Sequence, residues 1–151
     1  MLFRVALRVT MNREESEDVV QDTLMRLWQR RDELEGISNI ESFALKIAYN
    51  RALDCNERMA NKSVSLVEEK HDRIDMQQQQ PDQKLVHDEQ MAKIADIISS
   101  LPEKQRTIVQ LRDIEGKTYK EIAEILSITE SDVKVTLFRT RNKIKENFLS
   151  H

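Results

Sequence analysis

Five basic residues, Lys134, Arg139, Arg141, Lys143 and Lys145, fall between Val133 and Lys145 with no acidic residue among them. At about 100° per residue, Val133, Leu137, Ile144 and Phe148 share one helical face, and Ser131, Val135, Phe138, Arg139 and Asn142 share the opposite one. Cations that flank an exposed helical face suit phosphate oxygens. The chemistry on offer is therefore recognition of DNA rather than bond making. His71 and His87 are widely spaced and His151 is terminal. Cys55 is the single cysteine, and no glycine loop is placed to cradle a phosphate. No spacing fits a metal centre or a nucleophile with its base. The expectation is a non-enzyme without cofactor or metal.

Positioning such a stripe takes a second helix and a short turn. Thr118 with Glu121 has capping-box spacing, Thr129 with Asp132 is a similar pair, and Gly116 stands where a preceding helix should stop. This predicts one helix from Thr118 to Leu126, a turn at 127–129, and a second helix from Glu130 to about Asn147. Ile122 and Leu126 would face the core, small Ala123 would admit the crossing helix, and Ile128 would plug the turn. That is a helix-turn-helix, whose second helix enters the major groove by its N-terminal half.

The remainder is as helical and as short of turn formers. The 151 residues include 2 Gly and 2 Pro, and 34% are charged. The fold class expected is all-α, as two small helical domains joined by a flexible linker, the C-terminal one containing the helix-turn-helix. Residues 1–62 form the first domain. Asn12 with Glu15 opens a helix in which Val19, Val20, Leu24, Leu27 and Trp28 make an apolar stripe, and Ser38 with Glu41 opens another lined by Phe43, Ile47, Asn50 and Leu53. Residues 63–86, acidic and holding a run of four glutamines with Pro81, read as linker. Residues 87–151 form the second domain, with Met91, Ile94, Ile98 and Leu101 on one face and a fresh start marked by Ser100 and Pro102. A lone cysteine and the absence of any apolar run near the roughly 18 residues of a membrane span point to a cytoplasmic protein without membrane insertion.

The stretch "LPEKQRTIVQLRDIEGKTYKEIAEILSITESDVKVTLFRTRNKIKE" resembles region four of bacterial RNA polymerase sigma factors of the extracytoplasmic-function group. "ESEDVVQDTLMRLWQRRDEL" resembles their region two, and "SFALKIAYNRALD" the adjoining promoter-melting segment. The matches follow the family's order with a linker between. The resemblance begins within the family's first region-two helices, so an N-terminally incomplete region two is expected.

The resemblance implies a promoter-specificity subunit whose partners are core RNA polymerase, promoter DNA and an anti-sigma factor. Carried over residue by residue, Asp18, Gln21, Asp22, Arg26 and Trp28 become polymerase contacts, with Val19 and Leu24 assigned to the core. Lys46, Asn50 and Arg51 become contacts to the downstream promoter element, and Phe43 is expected to pack in the core. "CNERMANK" is less basic than the family's usual run, leaving Arg58 and Lys62. In region four Lys134, Phe138 and Arg139 match contacting positions, and Val135 and Asn142 lie beside them. Ser127 replaces a frequent glycine in the turn.

Charge also fits this reading. Lys and Arg total 24 against 27 Asp and Glu, yet the surplus of acid lies outside the last third of the chain. A subunit that leaves nonspecific grip to a polymerase gains from low net charge, which limits idle DNA binding. The competing reading is a freestanding helix-turn-helix regulator acting as a dimer on a two-fold operator. No heptad seam runs long enough to mark a dimer.

Overall fold

Asn12 sets the first boundary. Its side-chain oxygen accepts from the Glu15 amide at 2.9 Å, capping the helix that follows, while Met11 ends the preceding one in the left-handed region at φ 55°. The computed structural model describes residues 1–62 and 85–150. Within them lie α1 (Leu2–Thr10), α2 (Arg13–Gln29), a single 3-10 turn (Leu34–Gly36) and α3 (Ile40–Lys62). Then follow α4 (Leu85–Ser99), α5 (Glu103–Val109), a π turn (Gln110–Ile114), α6 (Tyr119–Leu126) and α7 (Glu130–Leu149). No strand occurs among the described residues. The linker expected at 63–86 lies almost wholly outside them.

Several caps differ from expectation. Asn39, not Ser38, caps α3, its Oδ1 accepting from the Ser42 amide at 3.0 Å. Ser100 closes α4 through a hydroxyl bond to the Ile97 carbonyl at 2.7 Å, and Pro102 precedes α5 without a side-chain cap. The helix ending at Gly116 (φ 73°) changes pitch at Gln110 into the π turn, where the Glu115 amide donates to the Gln110 carbonyl at 2.9 Å. Gly116 takes the backbone conformation that only glycine reaches without cost.

The buried face of α3 is Ala44, Leu45, Ala48, Tyr49, Ala52 and Cys55. Phe43, Ile47 and Leu53 sit half-buried at its edge and Asn50 is exposed, so the core face is rotated from the expected stripe. Alanines explain the choice, since they let helix axes approach closely where larger side chains would hold them apart. Tyr49 is thereby the buried aromatic, and burial together with the Glu103 carboxylate pushes its hydroxyl well above the usual range.

Both ends of the chain share one hydrophobic core. Val5, Ala6 and Val9 of α1 and Leu45, Ala48 and Ala52 of α3 join Ile108, Leu111, Ile122, Ile125 and Leu137 in a single cluster. Polar groups close the seam. Arg106 Nε donates to the Arg8 carbonyl at 2.6 Å and its Nη2 to the Val9 carbonyl at 3.2 Å, satisfying the last turn of α1 from the other end of the sequence. Arg8, itself buried, donates to Gln110 Oε1 at 2.8 Å. Arg4 meets Glu115 through two bonds of 2.8 Å.

Candidate nucleic-acid interface

Thr118 and Thr129 fix the reading head. Thr118 Oγ1 accepts from the Glu121 amide at 3.0 Å while Glu121 Oε1 accepts from the Thr118 amide at 2.8 Å, a complete capping box. Thr129 Oγ1 caps α7 through the Asp132 amide at 3.0 Å. Between them Ser127 ends α6 at φ 60°. Ile122, Ala123 and Leu126 of α6 pack with Val133 and Leu137 of α7, all buried, and Ile128 lies half-buried against the same core. These inward faces follow the sequence pattern.

The outward face of α7 presents the expected residues. Phe138 is 67% exposed and Val135 44%, an unusual display for apolar side chains. Lys134, Arg139 and Asn142 are exposed beside them. The stripe is not uniformly unopposed, however. Arg141 pairs with Asp113 of the π turn, its Nε lying 3.3 Å from Oδ2, and this bond pushes the guanidinium up from its ordinary value. Among the described residues Arg139, Lys143 and Lys145 make no ion pair.

A further basic group, which residue spacing does not reveal, adjoins this face. The Arg112 guanidinium lies 4.4 Å from the centre of the Tyr119 ring, and the Lys134 ammonium 5.5 Å from the same ring. Arg112 Nη1 also donates to the Lys117 carbonyl at 2.9 Å. The only sequence signal was an aromatic residue just after a cap. The π turn that swings Arg112 over it leaves no trace in residue periodicity.

In the first half, Asp18, Gln21, Arg26 and Trp28 are exposed along α2, and Lys46 and Asn50 along α3. Leu24 is also exposed, at 53%, with Met25 at 60% and Trp28 at 67%. The assignment of Leu24 to the core is therefore corrected: α2 is anchored by Val19, Ser16 and Thr23, and beyond Thr23 only Leu27 of its apolar stripe stays half-buried. Thr23 can be buried because its hydroxyl donates to the Val19 carbonyl at 2.8 Å. Arg31 stacks on Trp28 at 4.2 Å. Asp22 and Arg51, assigned from sequence to different partners, are bonded to each other at 2.6 Å. That contact pushes the Arg51 guanidinium up from its ordinary value.

Among the described residues no group of His, Cys, Asp or Glu is placed to hold a metal, and no helix is long and apolar enough to cross a membrane.

Comparison with known proteins agrees with this anatomy. Residues 1–58 match the family model of sigma-70 region 2, and residues 91–144 that of sigma-70 region 4. The chain is 27% identical to the ECF RNA polymerase sigma factor SigE of Mycolicibacterium smegmatis over 99% of its own length and 58% of that protein's. It therefore spans little more than half of that relative. It is 29% identical to the ECF sigma factor SigL of Mycobacterium tuberculosis, covering 91% of this chain and 76% of SigL. RNA polymerase sigma factor YlaC of Bacillus subtilis is 25% identical, with 97% of this chain and 84% of YlaC covered. In fold the chain is similar to the sigma factor RpoE of Bartonella quintana, solved with the anti-sigma factor NepR. The TM-score is 0.77 at 23% identity, over 97% of this chain and 88% of that one. CnrH, solved with the cytosolic domain of CnrY, gives 0.64 at 19% identity, over 96% and 78%. Two region models in family order, relatives of one kind along nearly the whole chain and an all-helical fold place this chain in the sigma-70 family, in its extracytoplasmic-function group of RNA polymerase sigma factors.

Proposed function

We propose that the chain is a promoter-specificity subunit: it binds core RNA polymerase, recognises promoter DNA and assists melting at initiation, while the polymerase performs the chemistry. The observation that carries this reading is the outward face of α7, where Val135, Phe138 and Arg139 stand exposed on the second helix of a capped helix pair. Phosphate contacts from Lys134 and its neighbours would set the register, and Phe138, Arg139 and Val135 would meet base edges of the upstream element. Asn142, one turn further along α7, would extend that contact.

Residues 1–62 act as the polymerase-binding and downstream-element domain, 63–86 as linker and 87–151 as the upstream-element domain. On α2, Asp18, Gln21, Asp22, Arg26 and Trp28 take the polymerase, with exposed Leu24 and Met25 adding apolar area. On α3, Lys46, Asn50 and Arg51 take the downstream element. The protein works in the cytoplasm, alongside the polymerase. An anti-sigma factor is a fitting further partner, since the similar RpoE of Bartonella quintana was solved with one. A freestanding dimeric regulator is not favoured, because a region-two domain adjoins the reading head.

The test is complex formation with bacterial core polymerase by size exclusion, with Gln21→Ala as comparison. Nanomolar binding weakened by that substitution supports the reading. A chain that ignores polymerase but binds duplex DNA as a dimer overturns it.

A further inference from the structure

Arg141 and Asp113 meet as a fork. Arg141 Nε lies 3.3 Å from Asp113 Oδ2, and its Nη2 is bonded to Oδ1 of the same carboxylate. Two donors of one guanidinium are thus engaged together, in the geometry that a phosphate group also satisfies. The pair joins α7 to the π turn, and both side chains stay open to solvent, at 49% and 37% exposure.

The π turn supplies this partner. It runs Gln110–Ile114 and holds one extra residue in its hydrogen-bonded ring, marked by the bond from the Glu115 amide to the Gln110 carbonyl. Arg112 and Asp113 are neighbours within it and serve α7 in opposite ways. Arg112 lies over Tyr119, which Lys134 also approaches, whereas Asp113 takes Arg141. At about 100° per residue Lys134, Phe138 and Arg141 fall within about 60° of one another, with Arg141 at the edge nearest the buried face. Edge cations of a helix seated in the major groove are the ones that reach flanking phosphates. Of Arg139, Arg141, Lys143 and Lys145, Arg141 is the one held by a carboxylate among the described residues.

We propose that Asp113 is a selectivity residue, which withholds Arg141 from phosphate in loosely docked, sequence-independent complexes. The margin by which the reading helix prefers its own sequence is thereby widened. This rests on the assignment of α7 to promoter DNA. Base-edge contacts by Phe138 and Arg139 pin α7 in a seated complex, leaving Arg141 little room to quit Asp113. A duplex of arbitrary sequence pins nothing, so α7 shifts to whichever phosphates its free cations reach. A freed Arg141 therefore adds more to the loose complex than to the seated one.

Two probes are titrated with the full chain between roughly 50 and 200 mM salt. One is a fluorescein-labelled random-sequence duplex, the other the duplex selected on the holoenzyme. Asp113→Asn keeps the side chain's shape and removes its charge. Binding of the random duplex tightens on the order of fivefold at the low-salt end, and log affinity against log salt steepens by about one, the mark of one added phosphate contact. The selected duplex gains less than about twofold, so the preference narrows. In the Arg141→Gln background Asp113→Asn does no more than Glu124→Gln. Glu124 is exposed on α6 without an ion pair among the described residues, so its loss reports net charge alone. Equal gains on both duplexes, an unmoved salt slope, or a gain that persists without Arg141 overturn the proposal. Weaker binding of the selected duplex overturns it too, since Asp113 would then be positioning Arg141 for contact. Arg139→Ala separates the two levels. If it binds the selected duplex like the unaltered chain, the assignment of α7 to DNA fails, whatever Asp113 does to Arg141.

Discussion

Arg51 Nη2 lies 2.6 Å from Asp22 Oδ2, so a residue suited to promoter DNA is held by a residue suited to polymerase. The side chains are 30% and 45% exposed, which keeps the pair weak in the free protein. Exposed pairs of this kind contribute about 0.2–1 kcal/mol. Under the proposed function their significance is in coupling: a polymerase group that drew Asp22 away would release Arg51 toward DNA. In a double-mutant cycle, Asp22→Ala and Arg51→Ala should each lower stability by less than about 1 kcal/mol in urea. On promoter binding by the assembled holoenzyme their effects should be non-additive. Strict additivity there would dissociate the two roles.

Trp28, the one aromatic ring on α2, is 67% exposed and lies beyond Leu24 and Met25 on a helix whose last fully buried residue is Thr23. Little folding energy rests on it, while a partner that covers it gains a large apolar area. Trp28→Ala should leave the unfolding free energy within about 0.5 kcal/mol of the unaltered chain. Affinity for core polymerase should fall roughly thirtyfold, as expected of a buried aromatic anchor. Calorimetric melting paired with polymerase titration checks both parts. A large loss of stability would mean that Trp28 packs inside the chain.

Much of this site can be read from residue order. Capping pairs located α6, the turn and α7, because a Thr with a carboxylate three residues on satisfies orphan amides whatever the tertiary context. Inward faces of α6 and α7 followed from spacing. Leu24 was misplaced because periodicity finds an apolar stripe but not the point at which its cover ends. The face of α3 was misjudged because alanines carry little weight in a hydrophobic pattern, yet allow the closest approach. The Asp113 to Arg141 pair depends on a π turn, and the seam between the halves on contacts such as Arg8 with Gln110, about a hundred positions apart. Local sequence carries no trace of either.

Arg139 and Arg141 should therefore differ. Arg139 is exposed without an ion pair among the described residues, whereas Arg141 is held by Asp113. Arg139→Ala should cost about 1–3 kcal/mol in affinity for the upstream element and relax selectivity at one position. Arg141→Ala should cost less, and Asp113→Ala should tighten binding by freeing a cation. Affinities of the three variants for a duplex selected on the holoenzyme decide this, and a greater loss at Arg141 would contradict it.

Acid should loosen the seam. Burial pushes the Glu115 carboxyl up, but bonds from Arg4 and Gln110 more than offset that and hold it below its ordinary value of 4.5. Glu121 is held down chiefly by the Thr118 amide, against burial, and further by Asn39. Both carboxylates bridge to the first half of the chain, at Arg4 and at Asn39. A depressed folded value means stability fully present above the unfolded value and lost as pH falls through the folded one. Between neutral pH and about 5 these groups should add no slope, and stability should decline below about 4.5 as protons enter. Glu115→Gln should flatten part of that decline in urea midpoints taken across the range. An unchanged profile would mean that the Glu115 bonds contribute nothing to folding.

Ser127 occupies the left-handed region at φ 60°, ending α6 with its amide bonded to the Ala123 carbonyl. A residue with a Cβ is disfavoured there by roughly 1–2 kcal/mol, while glycine is not, though glycine also loses more freedom on folding. The net for Ser127→Gly should be a gain of about 0.5–1 kcal/mol, visible as a melting temperature raised by a few degrees. DNA binding should change little, because the turn geometry is already the one glycine prefers and no candidate contact to DNA is assigned to Ser127. Ser127→Ala keeps the Cβ and should bring no comparable gain. If alanine stabilised as much as glycine, the benefit would come from the lost hydroxyl rather than the relieved backbone.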